Sequence, residues 1–147
     1  MKALIQRVSE AKVDIKGKTT GKIGRGILVF LAIEKGDTGK DVEYICKKIS
    51  GLRIFEDAYG KMNLSIRDVK GQILIVSQFT LAANCRKGNR PSFDNAEDPG
   101  KAYEIYSKVV ERLKLDNIPL ATGEFSAYMQ VYLVNEGPVT ILIDSTR

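Results

Sequence analysis

Apolar residues in this chain occur in short runs separated by polar turns, a pattern that predicts β-strands. Residues 26–33 are apolar at nearly every position, which is typical of a strand buried on both faces. Residues 72–79 are predicted to form a second strong strand. Weaker runs predict further strands at residues 2–9, 11–16, 52–55, 120–125, 127–134 and 139–144.

Two segments have helical periodicity instead. Thr38 and Asp41 stand at capping-box spacing, and apolar residues then recur every three or four positions, so a helix is predicted at about residues 38–51. Asp98 followed by Pro99 favours the start of a second helix, whose apolar stripe runs from position 102 to position 113. Because the strands come in groups, the predicted fold class is α+β, with mixed or mostly antiparallel sheets and two helices.

Two short polar interruptions stand out against these strands. Ser77, Gln78 and Thr80 follow an apolar run directly, with Phe79 among them, and polar groups at the end of a strong strand can be held rigidly enough for a binding or catalytic site. The dipeptide Gly137-Pro138 separates two apolar runs. Since proline cannot donate to a sheet ladder and glycine weakens a strand, a turn is predicted there.

Composition narrows the possible chemistry. The 147 residues, 44% of them hydrophobic, predict one domain spanning residues 1–147. No apolar stretch is long enough for a membrane span, and the first residues do not resemble a signal peptide, so a cytoplasmic location is expected. Histidine is absent, which excludes a Ser-His or Cys-His dyad and His-ligated zinc. The two cysteines are too few for a disulfide framework, Cys46 is expected in the core, and no metal or other cofactor is expected.

The net charge of +5 weakly favours an anionic partner, and the basic residues Arg86, Lys87 and Arg90 lie together in a long connection without periodicity. Guanidinium and ammonium groups in such a loop suit RNA phosphates, although a merely solvated loop explains them equally well. Cys85 stands beside Arg86, where positive charge would lower the pKa of its thiol. Without a partner base, a Cys85-dependent hydrolase is the weakest alternative.

Three segments carry a specific resemblance. Residues 77–81, 86–93 and 135–140 resemble signature segments of the D-aminoacyl-tRNA deacylases, and residues 1–8 resemble the first strand of that family. The likeness extends from end to end, with one departure at Ala82-Ala83, where the family often has an aromatic residue after the leucine. The resemblance implies a hydrolase of the carboxylic ester that joins a D-amino acid to the 3′-terminal adenosine of tRNA. Such an enzyme serves chiral proofreading in translation quality control.

The resemblance also implies an intimate homodimer with a barrel-like sheet. Gly137 and Pro138 would be joined by a cis peptide bond and, with Val139 and Thr140, would reach into the pocket of the partner subunit. Their main chain would bind the substrate ammonium group and occupy the space that an L side chain needs. Glycine has no side chain to exclude, so clearance of mischarged glycyl-tRNA is expected as well.

By the same resemblance, the segment from Ser77 to Thr80 would border the scissile carbonyl. The backbone N–H groups of Phe79 and Thr80 are the candidates for stabilising the oxyanion, and Gln78 would orient the adenosine or the pocket. Two mechanisms stay open: attack by water assisted by the ribose 2′-hydroxyl, or a covalent Thr80 nucleophile. The hydroxyls of Ser77 and Thr80 could also serve only to end the strand.

Arg86, Lys87 and Arg90 would grip the phosphates of the tRNA acceptor stem. The main alternative to an enzyme is a non-catalytic RNA- or nucleotide-binding module that uses the same basic loop without turnover.

Overall fold

The computed structural model describes residues 1–146. Its elements, in chain order, are β1 (Lys2–Ile15), β2 (Lys18–Ile23), β3 (Gly26–Ala32), α1 (Gly39–Gly51), β4 (Phe55–Glu56), β5 (Met62–Leu64), β6 (Gln72–Ser77), a 3₁₀ turn (Phe79–Ala82), α2 (Pro99–Lys114), β7 (Leu120–Thr122) and β8 (Gln130–Asp144). Neither α1 nor α2 is long and apolar enough to cross a membrane, and this holds for every helix within residues 1–146.

The sheet is built around β1. β2 and β3 both run antiparallel to β1 along the same edge. β2 pairs with the second half of β1, where Ala11 lies opposite Ile23, and β3 pairs with the first half, where Val8 lies opposite Gly26. β8 runs antiparallel along the opposite edge of β1, while β6 continues the sheet parallel to β3, and β7 parallel to β6. The sheet is therefore mixed, as predicted.

The sheet curls until its ends approach each other. Gly21 in β2 lies so close to β7 that an added Cβ would stand 2.5 Å from the carbonyl oxygen of Thr122. This close approach makes the sheet nearly closed and barrel-like. A separate two-stranded sheet pairs β4 with β5.

β3 and β6 have apolar side chains on both faces, which explains their continuous hydrophobic runs. One face packs against both helices in the larger core, to which Ile27, Val29, Ile73 and Ile75 belong. The other face lies inside the curled sheet, in a second core of Val8, Ala11, Val13, Ile23, Leu28, Leu74 and Val76.

Both predicted helices are present. The side chain of Thr38 accepts from the backbone of Lys40, and Asp41 completes the capping box by accepting from the Thr38 backbone N–H at 2.8 Å. Asp98 is the N-cap of α2 and Pro99 its first residue, although the Asp98 side chain makes no capping hydrogen bond. Proline at that position has no N–H that would need a partner, and its fixed φ suits the start of a helix.

Several strand boundaries were predicted wrongly. The strands predicted at 2–9 and 11–16 are one strand, β1, which ends at Ile15, and the stretch before residue 26, for which no strand is predicted, contains β2. The strand predicted at 72–79 ends at Ser77, because Phe79 already belongs to the 3₁₀ turn. The predicted strands 120–125 and 127–134 are shorter at their junction, since β7 ends at Thr122 and β8 begins at Gln130.

The predicted turn at Gly137-Pro138 is also wrong. β8 is one strand that continues through both residues, and the irregularity is a bulge. Gln6 pairs with Thr140 but Val8 pairs with Asn135, so residues 136–139 of β8 face Arg7 alone. The extra residues leave the ladder locally while the strand continues on either side. The Gly137–Pro138 peptide bond is cis, which confirms that part of the expectation.

Candidate active site

A cleft of about 560 Å³ opens where β6 ends. It lies between the 3₁₀ turn, the start of α2 and the segment that precedes β8. Its walls are rich in aromatic side chains, namely Phe79, Phe93, Tyr106, Phe125 and Tyr128. A volume of this size suits a small-molecule group such as a nucleoside.

The predicted segment from Ser77 to Thr80 forms one wall of this cleft. Ser77, Gln78 and Phe79 line it, and the backbone N–H of Gln78 donates to the carbonyl of Leu31 at 2.8 Å, which ties the segment to β3. Thr80 is exposed but is not among the lining residues. The structure therefore brings three of the four predicted residues into the cleft.

The side-chain amide of Gln78 donates a hydrogen bond to the Thr80 hydroxyl oxygen. A nucleophilic hydroxyl needs a neighbouring group that takes its proton. Gln78 donates instead, and it is the hydrogen-bond partner of this hydroxyl within residues 1–146. The contact orients Thr80 without activating it.

The backbone N–H groups of Phe79 and Thr80 make no hydrogen bond within residues 1–146. They belong to the first turn of the 3₁₀ segment, where N–H groups have no partner inside the helix. The following turn is closed, because Leu81 donates to the carbonyl of Gln78 at 3.2 Å. Two free donors thus sit side by side, one on the cleft-lining Phe79 and one on the residue that follows it, an arrangement that can bind a negatively charged oxygen.

The basic loop is fastened next to the cleft. Asn84 and Ser92 exchange backbone hydrogen bonds of 2.8 and 3.0 Å, which close the loop below its exposed tip. Arg86, Lys87 and Arg90 lie on that tip, outside the cleft. Just beyond the closure, Phe93 meets Phe79 edge to face with ring centroids 5.1 Å apart. The loop and the 3₁₀ turn are therefore in direct contact.

Another part of the cleft wall is held by aromatic packing. The Tyr106 hydroxyl donates to the carbonyl of Ile75 at 3.2 Å, and the Phe125 ring packs against Tyr103 and Tyr106 at 5.2 and 5.6 Å. Burial, with a smaller effect of Tyr103, raises the pKa of Tyr106 to about 12. Tyr106 therefore stays protonated and keeps its hydrogen bond at any physiological pH.

Sequence reasoning missed the roles of Phe93, Tyr106 and Phe125 in lining the cleft. The periodicity of the second helix places Tyr106 only in its apolar stripe. Aromatic residues placed next to predicted turns were the available signal, because loops beside strand ends often carry binding residues.

Gly137, Pro138, Val139 and Thr140 lie away from the cleft of their own chain, and none of them lines it. Asn135 organises the bulge, since its side chain donates to the Thr140 hydroxyl at 2.9 Å and accepts from the Val139 N–H at 3.2 Å. Gly137 has a φ of +123°. Gly137 and Pro138 are both exposed, so the bulge presents its main chain to the surroundings.

Arg7 supports the bulge from inside. This guanidinium is only 6% exposed, and it donates to the carbonyls of Glu136 at 3.1 Å and Ile54 at 2.7 Å. Sequence reasoning did not single it out. The signal was its position in the alternation of β1, where Ala3 and Ile5 before it point into the core.

One cysteine lies in the core, as predicted, and the other lies on the surface. Cys46 is in the core, and burial raises the pKa of its thiol to about 12. Cys85 is an exposed free thiol on the basic loop. Within residues 1–146, no three acidic or cysteine side chains cluster in a way that could hold a metal ion.

Comparison with known proteins gives consistent results. A family model described as D-Tyr-tRNA(Tyr) deacylase matches residues 4–144. The chain is 58% identical to a D-aminoacyl-tRNA deacylase of Geobacter sulfurreducens over 145 residues, which cover 99% of this chain and 95% of the relative. It is 54% identical to a D-aminoacyl-tRNA deacylase of Thermotoga petrophila over 147 residues, which cover 100% of this chain and 99% of the relative.

Two solved structures share the fold. One is described as c-Myc DNA Unwinding Element Binding Protein; it superposes with a TM-score of 0.93 at 42% identity, with 98% of each chain covered. The other is described as a probable eukaryotic D-amino acid tRNA deacylase, with a TM-score of 0.82 at 15% identity and 97% of each chain covered.

Proposed function

This chain belongs to the D-Tyr-tRNA(Tyr) deacylase family, and from that premise we propose how its cleft hydrolyses the ester between a D-amino acid and the 3′-terminal adenosine of tRNA. The protein is an enzyme, a hydrolase that acts on D-aminoacyl-tRNA. The observation that carries the proposed mechanism is the pair of free N–H groups at Phe79 and Thr80, beside an aromatic cleft.

The cleft takes the terminal adenosine. Nucleic-acid bases stack on aromatic side chains, a contact worth about 1–3 kcal/mol per base. Phe79 and Phe93 offer such rings on the side of the 3₁₀ turn, and Phe125 offers one where the cleft meets Tyr106 of α2. A base held between these walls brings its ribose and the 3′-ester towards the end of β6.

The two N–H groups stabilise the negative charge that develops on the ester carbonyl oxygen during the reaction. When water adds to the ester carbonyl, the carbonyl oxygen becomes negatively charged, and the N–H groups of Phe79 and Thr80 donate to it. Loss of one such donor typically costs about 10²–10³ in rate. Collapse of the tetrahedral intermediate breaks the bond to the 3′-oxygen and releases the D-amino acid and tRNA with a free 3′-hydroxyl.

The proton from the attacking water passes to the leaving 3′-oxygen through the neighbouring ribose 2′-hydroxyl. This route needs no protein base. It is favoured over a covalent Thr80 intermediate because the hydrogen-bond partner of the Thr80 hydroxyl is a donor, Gln78, which cannot take its proton.

Selection between D and L substrates involves a second copy of the chain. Gly137 and Pro138 are exposed but lie away from their own cleft, and the outer face of β8 around them carries exposed Tyr132, Val134 and Leu142. Exposed apolar surface of this kind is typical of a protein interface. In a homodimer joined along this face, the bulge of each subunit enters the cleft of the other.

The bulge then rejects L substrates by occupying space. Main-chain carbonyls at Gly137 and Pro138 accept from the substrate ammonium group, and the same rigid backbone fills the position of an L side chain. A D side chain points away from it. Glycine has nothing to exclude, so glycyl-tRNA is hydrolysed as well.

The basic loop binds the acceptor stem through Arg86, Lys87 and Arg90, whose exposed positions next to the cleft suit phosphate contacts. The enzyme acts as one domain in the cytoplasm, where aminoacylated tRNA is used.

Three substrates test the proposal. Loss of the ester is measured for D-Tyr-tRNA, L-Tyr-tRNA and glycyl-tRNA; the first and third should be hydrolysed and the second spared. Binding of all three without any turnover would favour a nucleic-acid-binding module instead. Hydrolysis of D-Tyr-tRNA with glycyl-tRNA left intact would contradict selection by steric exclusion alone.

A further inference from the structure

A second cavity, of about 450 Å³, lies beyond the 3₁₀ turn. The turn separates it from the aromatic cleft, because Phe79 lines the cleft while Leu81, two residues later, lines the second cavity. The rest of the lining comes from the start of β1, the end of α1 and the end of β8. The mechanism proposed above makes no use of this cavity.

Lys48 is the available cation at the second cavity. It is exposed, its ammonium lies 5.5 Å from the centroid of the Tyr44 ring, and no ion pair joins it to a carboxylate within residues 1–146. Lys2, in contrast, is paired with Glu34 at 3.0 Å. A ligand that enters this cavity therefore meets the positive charge of Lys48.

Asp144 is the acidic group of the same cavity, and its charge is already stabilised. Burial acts to raise the pKa of Asp144, but hydrogen bonds from Thr146, together with the N-terminal ammonium group and Lys2, lower it on balance. The carboxylate is therefore ionised and repels an anion from its own end of the cavity. An anionic ligand is directed to the end formed by Lys48 and Tyr44.

We propose that this second cavity binds the nucleotide that precedes the terminal adenosine of the substrate, with its phosphodiester on Lys48. The inference rests on the proposed function, which puts the adenosine on the other side of the 3₁₀ turn. A single strand that leaves the cleft past Thr80 reaches Leu81 next. Proteins bind single-stranded nucleic acid by combining cations for the phosphates with aromatic and apolar surfaces for the bases.

The lining supplies both kinds of contact. Tyr44 is half-buried and presents its ring beside the ammonium of Lys48, and the half-buried side chains of Leu52 and Leu81 line the same cavity. These groups give a base a surface on which to lie, while Lys48 neutralises the phosphate. A lysine in the last turn of a helix also interacts favourably with the helix dipole, so the test must separate that role from ligand binding.

The test compares two substrates that differ in the phosphate. One is D-Tyr-tRNA, and the other is adenosine esterified with D-tyrosine at its 3′-oxygen, which has no phosphodiester. Lys48→Met should raise KM for D-Tyr-tRNA about fivefold, with kcat unchanged, because one phosphate is no longer neutralised. The same variant should hydrolyse the adenosine ester as the wild type does.

Salt dependence gives a second readout. For tRNA carrying D-tyrosine in a non-hydrolysable amide linkage, the slope of log affinity against log salt concentration should become shallower by about 0.7 in Lys48→Met, the increment for one phosphate of a single strand. Lys47→Met is the matched control, because Lys47 is exposed on the same helix but does not line the cavity. It should leave KM and the salt slope unchanged.

Other outcomes would overturn the inference. If Lys48→Met equals Lys47→Met in every measurement, or impairs both substrates alike, Lys48 does not bind a phosphate. A weakened dimer in sedimentation, with an unchanged salt slope, would assign the cavity to the subunit interface. If the wild type hydrolyses neither substrate, the proposed function fails, while the amide-linked tRNA still decides whether Lys48 binds a phosphate.

Discussion

The guanidinium of Arg7 holds the main chain of Glu136 from inside the protein, through a hydrogen bond of 3.1 Å from its Nε to the Glu136 carbonyl. A second bond, of 2.7 Å, joins the same side chain to the carbonyl of Ile54. Buried polar groups need partners. Arg7 provides donors for two carbonyls that the sheet leaves unpaired, and it fixes the point at which the bulge begins.

Arg7→Met should loosen this bulge. The buried carbonyl of Ile54 and the partly buried carbonyl of Glu136 lose their donor, and an unsatisfied buried group costs about 1–3 kcal/mol. We expect a lower free energy of unfolding and at least about a tenfold loss in kcat/KM for D-Tyr-tRNA, because misplacement of a positioning group raises the barrier. Chemical denaturation and ester hydrolysis measure the two effects. Arg7→Lys keeps the charge but not both hydrogen bonds, so activity restored fully by lysine would contradict the role given to the geometry of the guanidinium.

Gly137→Ala should lower the rate of hydrolysis of D-Tyr-tRNA markedly, although the substitution adds only one methyl group. Gly137 has a φ of +123°, and an added Cβ would stand 2.7 Å from Nη2 of Arg7 and 3.0 Å from Cγ2 of Val139. The backbone conformation alone costs about 1–3 kcal/mol for a residue with a side chain. Gly60→Ala is the control, since Gly60 also has a positive φ but meets nothing within 4 Å. If the two variants lose equal activity, the space around Gly137 is not important.

Thr80→Ala should keep most of the activity. The Thr80 hydroxyl has a donor, Gln78, as its partner, and the proposed oxyanion contact comes from the backbone of Thr80, which alanine retains. Single-turnover hydrolysis of D-Tyr-tRNA should fall by less than about tenfold, whereas loss of a covalent nucleophile typically costs on the order of 10⁴ or more. An acyl group found on Thr80 by mass spectrometry would refute the water mechanism.

Removal of charge from the basic loop should act on RNA binding alone. Arg86→Ala combined with Arg90→Ala removes two exposed cations, so affinity for tRNA should weaken and its salt slope should become shallower by about 0.7–0.9 for each phosphate that the loop no longer binds. Hydrolysis of the adenosine ester should not change. An affinity that does not depend on salt in the wild type would exclude this use of the loop.

If the second subunit completes the cleft, mixing two variants that are each inactive alone should restore activity in the dimers that contain one subunit of each. Gly137→Ala damages the bulge, and Ala127→Trp fills the cleft, which Ala127 lines. A mixed dimer has one intact cleft facing one intact bulge. Random mixing should therefore recover about a quarter of the wild-type activity, since half of the dimers are mixed and each has one working site of two.

The control for this experiment is each variant alone, treated by the same unfolding and refolding. No recovery on mixing, with mixed dimers demonstrated by two different affinity tags, would show that each cleft uses only residues of its own chain.

The helices and the buried strands could be predicted because each has a local signal that agrees with its packing. Thr38 and Asp41 form the capping box that their spacing indicates, and β3 is buried on both faces. β2 was missed because it is short, with polar residues at most positions, and owes its structure to pairing with β1. Propensity cannot report a strand that depends on a partner distant in the fold.

Some residues of the candidate site could likewise be predicted from a local signal, and others could not. The segment from Ser77 to Thr80 could be located because polar residues directly follow an apolar strand. The role of Arg7 could not be predicted, since its two carbonyl partners, at residues 54 and 136, are far away in the sequence. The sequence predicts a turn in place of the bulge because the local rule for Gly-Pro takes no account of a side chain that replaces the missing ladder bonds.

The bulge at residues 136–139 meets its surroundings with carbonyl and N–H groups, which nearly every amino acid possesses. The surface that it presents therefore depends on the path of the backbone more than on the identity of the side chains along it. Over evolution, this shape is preserved by the residues that fix the path, namely Gly137 with its positive φ, Asn135 and the interior Arg7, while the side chains at other exposed positions of the bulge are free to vary.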